Sequence, residues 1–481
     1  MKKHAFTEFI LYRYRYAIGY GLFAVALISL LAIAGVAIPG MLTEAEMNSA
    51  VKSSQLQLTA VGSIIDLPYH LLQKASIAIF GLTPIGIKLP SLLLAVFSSL
   101  GLLFLLRRWF KQNVAVLASI IAVTAGQFLI IAQHGTPLIM LFFWPTILLL
   151  LATYISARPR RTLIWKICFF AAAALSLYTP LSLYVLIAVF FAVIFHPHLR
   201  FMVLHMKRWK LGLGAAVGIL LLIPLFWRVS QSPEELLVLL GVPDDVSWTL
   251  IGENIQQLLG SFFGFAQPSI QGVALTPIYG FATTSLMLLG LFKLAVDHHS
   301  ARTYTIGLWL LILGVVLLLQ PGYIAITFVP LLLMLAIGID TLFREWYGLF
   351  PRNPYARAAA LVPLVILISG IVFTGLDRYI NNYSHHPALG QYFSSDLSLI
   401  RHELKKDQPR TLWVSKSEQP FYHILTREYP KLQVVTEAPL AQASSGLIVS
   451  RAVHAGTAIT TKPSKIITNH FAEQNARFFV Y

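Results

Sequence analysis

Thr43-Glu44-Ala45-Glu46 places two carboxylates directly after a long apolar run. A carboxylate at a membrane boundary, held in a low dielectric, has its pKa raised and can act as a general base on a hydroxyl. A phosphate leaving group in such a reaction would need a cation. The candidates near the same boundary are Lys52, Lys74, Lys88 and Arg228. Lys88 opens an apolar run in Ile87-Lys88-Leu89-Pro90-Ser91, where a lipid phosphate would sit, and Arg228 closes another.

Each of these residues also has a purely structural reading. Thr43 and Glu46 have capping-box spacing. Glu44 suits a solvated first-turn carboxylate favoured by the helix dipole, and Lys88 and Arg228 suit snorkelling. On a helix Glu44 and Glu46 stand roughly 200° apart, so one cavity cannot easily use both. Glu44, with Asn48 four residues on, is the freer for chemistry. The assignment between the two glutamates stays open.

These residues need elements to hold them. The 481-residue chain is 57% hydrophobic and 12% charged, with a mean hydropathy of +0.72. A soluble protein would carry about twice that charge. Apolar runs near 17–39, 88–107, 113–133, 136–156, 163–180, 181–198, 208–227, 276–296, 302–320, 322–343 and 356–378 are each long enough to cross a hydrocarbon core about 30 Å thick. Between them, 20 basic residues fall on one side, while only Lys52, Lys74, Lys88 and Arg228 fall on the other. The fold class expected is an all-α polytopic membrane protein of about 11 transmembrane helices, with its N-terminus cytoplasmic. The net charge of +16 is then topological and facing anionic headgroups, with no call for nucleic acid.

Two long outer loops are expected, 40–87 and 228–275. In the first, 43–54 and 67–80 read as helices lying at the membrane surface, Pro68 marking a start. In the second, Ser232-Pro233-Glu234-Glu235 reads as a capped helix start, followed by an interfacial helix near 247–263. From 379 onward charge returns at ordinary density and apolar runs shorten. Helices near 389–406 and 419–428 and strands at 411–415, 432–436, 446–450, 464–468 and 478–481 predict a small extracytoplasmic α/β domain over 379–481, with the membrane domain over 1–378. Cys168, the single cysteine, lies inside a predicted span and leaves that domain without an internal disulfide.

Glu44-Ala45 after the first run, then Leu67-Pro68-Tyr69, Phe80-Gly81 and Lys88-Leu89-Pro90-Ser91 resemble the opening of the GT-C membrane glycosyltransferases. The nearest group is that of the protein mannosyltransferases and aminoarabinose transferases. The order of elements is similar along the whole chain, and the motifs cover about residues 40–140. The resemblance implies transfer of a sugar from a polyprenyl-phosphate donor to an extracytoplasmic acceptor, with inversion, at a plasma membrane. It implies Glu44 or Glu46 as base, and contacts to donor or phosphate from Lys88, Arg228, Lys52, Asn48, Tyr69 and His134. The family has an Asp where Thr43 or Glu44 stands, an Arg where Lys88 stands, and an Arg and Asp after the third span where Gln133-His134-Gly135-Thr136-Pro137 stands.

No metal set stands out. His298-His299, His385-His386 and Asp244-Asp245 lack further ligands at useful spacing, so a divalent ion stays open. Asn382-Tyr383-Ser384 is a formal glycosylation sequon. Two other readings remain: a lipid or glycan transporter, disfavoured because the spans carry almost no acidic residue, and a non-catalytic assembly or scaffold relative.

Overall fold

The computed structural model describes residues 14–36, 42–56, 64–157, 163–243, 248–263, 270–271, 274–275, 278–297, 300–349, 354–381, 393–404, 409–437, 446–455, 462–468 and 476–481. The histidine and aspartate pairs above and the sequon lie outside these residues.

Apolar sequence drives most of the chain into helices, because only a helix satisfies its own backbone in lipid. They run α1 Arg15–Val36, α2 Glu44–Gln55, α3 Leu67–Phe80, α4 Pro84–Trp109, α5 Gln112–Thr124, α6 Gly126–Gln133, α7 Met140–Ala157, α8 Leu163–Ser176, α9 Ser182–Phe195, α10 Pro197–Leu204, α11 Arg208–Gln231, α12 Glu234–Leu240, α13 Trp248–Phe263, α14 Phe281–Val296, α15 Ala301–Leu319, α16 Phe328–Leu349 and α17 Pro354–Tyr379. Among the described residues, six helices are long and apolar enough to cross a membrane. The count reaches eight if two bent pairs are each one span, with three shorter apolar helices besides.

The bent pairs differ from the straight spans expected at 113–133 and 181–198. The first breaks by 60° between α5 and α6, where Ala125 is extended. The second turns by 95° at Pro197, because proline cannot continue the ladder of α9. It leaves α10 as a separate short helix. The expected capping box at Ser232 is not made. α12 has no side-chain cap, and Glu235 instead reaches Arg228 at 3.1 Å and accepts from the Ile64 amide.

After α17, α18 Asp396–Leu404, α19 Gln419–His423 and α20 Arg451–His454 alternate with strands β5 Arg410–Trp413, β6 Leu432–Val435, β7 Leu447–Ser450, β8 Lys465–Thr468 and β9 Ala476–Val480. Earlier strands are the two-residue β1 Leu42–Thr43, β2 Ile270–Gln271, β3 Ala274–Leu275 and β4 Phe393–Ser394. The sheet order is β6-β5-β7-β9-β8. β5 is parallel to both its neighbours and β9 antiparallel to both of its own.

This sheet is not an independent appendage. Leu42, Ala50, Leu82 and Ile87 share one apolar core with Leu397, Ile400, Leu412, Phe421 and Val480. β1 pairs with β4 antiparallel, Thr43 opposite Phe393. Arg401 donates to the Leu82 carbonyl at 2.8 Å and pairs with Glu428 at 2.6 Å. The first loop and the tail therefore form a single cap on one end of the helical bundle, the end opposite Arg107 and Arg108.

Candidate active site

α2 and α3 build the site from one layer of polar side chains. Thr43 caps α2, and its hydroxyl accepts from the Glu46 amide while Glu46 Oε2 accepts from the Thr43 amide at 2.8 Å. The capping box is real, but Glu46 does more. It is fully buried, its Oε1 accepts from the Gly135 amide at 2.7 Å, and Lys88 Nζ lies 3.6 Å away. Gly135 permits this approach: a Cβ there would meet Ile87 Cγ2 at 2.8 Å and Glu46 Oε1 at 3.2 Å. Burial works against the Glu46 charge, yet Lys88, His134 and the two amides outweigh it, so its pKa falls below the ordinary value. Glu46 is held ionised, with both oxygens engaged. That suits a structural anchor and not a proton acceptor.

Gln73 is the second anchor. Its amide nitrogen donates to the carbonyls of Ile87 and Gly135 at 3.0 and 2.9 Å. Its oxygen accepts from Ser49 and Ser53 at 2.8 and 2.6 Å. All four of its hydrogen-bonding positions are used, tying α2, α3, α4 and the turn after α6 together. With its own proton given to Gln73, Ser53 must accept from His70 Nδ1 at 2.8 Å. The His70 proton thus sits on Nδ1, leaving Nε2 as an acceptor. Burial pushes its pKa down to about 4, with Lys52 adding to the effect, so the ring is neutral.

Above this layer lies a cavity of about 640 Å³, lined on α2 by Ala45, Asn48, Ser49 and Lys52, and elsewhere by Asp66, His70, Thr136 and Val238. The spacing 45, 48, 49, 52 is one face of a helix. Asp66 is the residue the sequence reading missed. It caps α3 with φ 57, and its side chain makes no capping bond. The left-handed backbone, which Asp tolerates better than most residues, turns the carboxyl away from the amides of α3. The backbone is secured by the Asp66 amide donating to the Tyr178 carbonyl at 2.7 Å. Trp144 Nε1 donates to the Thr179 hydroxyl at 3.2 Å, leaving the Thr179 proton for the Asp66 carboxyl. Oδ1 of Asp66 is buried without a hydrogen bond. Burial raises the pKa of Asp66 from 3.8 to about 7, against the opposing pull of Thr179 and Lys52. A carboxyl near neutrality facing a cavity beside a lysine is what general-base chemistry requires.

The expected site residues divide. Asn48 and Lys52 line the cavity. Glu44 is exposed and is not among its walls; a solvated first-turn carboxylate is what the structure places there. Lys88 is buried against Glu46, and so is removed from the surface where a lipid phosphate would meet it. Arg228 is engaged by Glu235. Tyr69 is buried, its hydroxyl 2.7 Å from Ser91 Oγ. His134 is buried between Thr136, at 3.0 Å, and Thr43, at 3.3 Å. Lys88, Tyr69 and His134 belong to the buried polar framework, and Arg228 stands apart from it with Glu235. Asp66 could have been flagged as an acidic residue at the head of the Leu67-Pro68 helix start. Among the described residues no group of three His, Cys, Asp or Glu could hold a metal ion.

Residues 68–227 match the family model described as dolichyl-phosphate-mannose-protein mannosyltransferase. No curated protein sequence matches the chain. In structure the chain is similar to ArnT from Cupriavidus metallidurans, crystallised with undecaprenyl phosphate, at a TM-score of 0.57 and 13% identity, covering 96% of this chain and 98% of that one. It is also similar to the Archaeoglobus fulgidus oligosaccharyltransferase at a TM-score of 0.52 and 13% identity, covering 85% of this chain but only 64% of that one. The chain carries the fold of the GT-C membrane glycosyltransferases.

Proposed function

We propose that the protein transfers a sugar from a polyprenyl-phosphate donor to an extracytoplasmic hydroxyl acceptor, with Asp66 as general base. The observation that carries this reading is the Asp66 carboxyl, poised near neutrality in the 640 Å³ cavity with Lys52. The proteins it resembles support the donor class: one was crystallised with undecaprenyl phosphate and another is described in complex with a dolichol-phosphate.

In this reading the donor lies in the bilayer with its phosphate at the cavity mouth. Asp66 takes the acceptor's hydroxyl proton, and the oxygen attacks the anomeric carbon. The bond to the phosphate oxygen breaks with inversion, and the polyprenyl phosphate leaves, its charge met by Lys52. His70 Nε2 and Asn48 offer an acceptor and an amide to sugar hydroxyls. Glu46, Lys88 and Gln73 hold the walls. The basic end faces the cytoplasm by the charge asymmetry of the loops, so the cap formed by the first loop and the sheet is extracytoplasmic, and the shorter apolar helices complete eleven spans in a plasma membrane. The sugar is supplied on a lipid, so no nucleotide fold is needed.

The test is transfer from a radiolabelled polyprenyl-phosphate sugar by the purified protein. Loss in Asp66→Asn with retention in Glu44→Gln is expected. Loss only in Glu44→Gln returns the base to α2, and no donor consumption by the unaltered protein favours a non-catalytic relative.

A further inference from the structure

A second cavity of about 640 Å³ lies toward the basic end of the bundle, away from the candidate active site. Lys88 and Arg108 stand twenty residues apart on the single helix α4, so about 30 Å separates the two levels at 1.5 Å per residue. The inner walls are apolar at Leu149, Phe169, Phe170, Leu186, Val189 and Leu211, and the buried Lys166 also lines the cavity. At the level of Arg108 the lining changes to Arg108, Arg302, Ser156 and Thr153. α10, turned sharply from α9, contributes Leu199, Met202 and Val203 to the same cavity.

The two guanidinium groups are pre-positioned. Arg302 donates to the Trp109 carbonyl at 2.6 Å and lies over the Phe110 ring at 5.2 Å. Arg108 lies over the Tyr154 ring at 5.0 Å. Asp340, which approaches Arg302, is itself engaged by Arg344. Lys207, Arg208 and Lys210 stand in sequence between the cavity residues Met206 and Leu211. An apolar chamber of this size is within the range that accommodates a ligand, and water gains little inside it because few walls can hydrogen-bond. A basic mouth between helices on the cytoplasmic side matches an anionic headgroup.

We propose that this cavity is a binding site for one anionic glycerophospholipid of the cytoplasmic leaflet, its phosphate held by Arg108 and Arg302 and an acyl chain lying against Phe169, Leu186 and Val189. The inference rests on the membrane orientation given above and is independent of which residue is the base.

The test is retention of lipid by the intact protein in nanodiscs of phosphatidylcholine doped with phosphatidylglycerol, read by native mass spectrometry after gentle release. At about tenfold per 1.4 kcal/mol and roughly 1 kcal/mol per basic residue, loss of both arginines lowers phosphatidylglycerol retention by ~30-fold. The double variant Arg108→Gln/Arg302→Gln is expected to show that loss while still taking up phosphatidylcholine. Val193→Trp, which fills the chamber from α9, is expected to lose both lipids while its thermal midpoint in detergent stays near that of the unaltered protein. Equal retention of the two lipids by the unaltered protein overturns the proposal. So does phosphatidylglycerol binding that survives Val193→Trp, or displacement of phosphatidylglycerol by equimolar polyprenyl phosphate. Sugar transfer in the same variants reports separately on the proposed reaction.

Discussion

Replacing Asp66 by asparagine keeps the side-chain shape and an oxygen for the Thr179 hydroxyl, but removes the titrating carboxyl. Two effects of opposite sign follow. Loss of a general base lowers the transfer rate, typically by about 10²- to 10⁴-fold. Stability moves the other way. The Asp66 pKa rises from 3.8 to about 7 on folding, a difference of about three, equivalent to ~4 kcal/mol at 1.36 kcal/mol per unit. Between those values the native state holds a proton that the unfolded chain has released, so native stability falls as pH rises from about 4 to 7. Above pH 7 the ionised carboxyl costs the fold its full ~4 kcal/mol, as an upper bound. Asp66→Asn removes that cost. The variant is therefore expected to be nearly inactive and yet more heat-resistant than the unaltered protein at pH 8, with the advantage vanishing near pH 4. The assay pairs transfer rates with detergent Tm over that pH range. In the unaltered protein the rate should climb with pH through about 7 and then level off, since only the ionised base accepts a proton. Unimpaired transfer in Asp66→Asn refutes the base assignment. Activity and Tm falling together refute the electrostatic reasoning, because the side chain would then be structural.

Three further outcomes test the surroundings. Lys52→Gln, at an exposed position on the cavity wall, should lower kcat and kcat/KM, because the lysine meets charge that builds on the leaving phosphate. Breaking the buried Glu46–Lys88 pair from one side, as Glu46→Gln or Lys88→Met, should cost about 3–5 kcal/mol, because it strands a buried charge; the double variant should recover part of this in a double-mutant cycle by thermal unfolding. Gly290→Ala should destabilise the protein sharply, since a Cβ there would lie 2.1 Å from the Met334 carbonyl oxygen, where α14 and α16 meet backbone to backbone; a Tm matching the unaltered protein would contradict that packing.

Much of the architecture was legible from local pattern. Apolar runs mark the helices because each must satisfy its backbone within itself, and the strands expected at 446–450 and 464–468 coincide with β7 and β8. The Thr43–Glu46 cap follows from spacing within one turn. Misses came where distant residues intervened. Glu235 has the spacing of a cap but is drawn to Arg228 and to the amide of Ile64. Lys88 has the position of a phosphate clamp, but Glu46, from the start of the same outer loop, pairs with it in the interior.

The sequence by itself determined a membrane-embedded helical chain, its charge asymmetry, and two helices carrying the polar residues of the first loop, because hydropathy and helical period are local properties. Only the tertiary structure decided which carboxyl faces a cavity. Glu44, Glu46 and Asp66 are all carboxylic acids, and neighbours packed over them set the ionisation of Glu46 and Asp66. Solvent keeps Glu44 in water. Lys88 and the Gly135 amide hold Glu46 charged. Burial, with one oxygen left unpaired, raises the Asp66 pKa to about 7 against the pull of Thr179 and Lys52. Desolvation is set by neighbours that the chain brings together from afar.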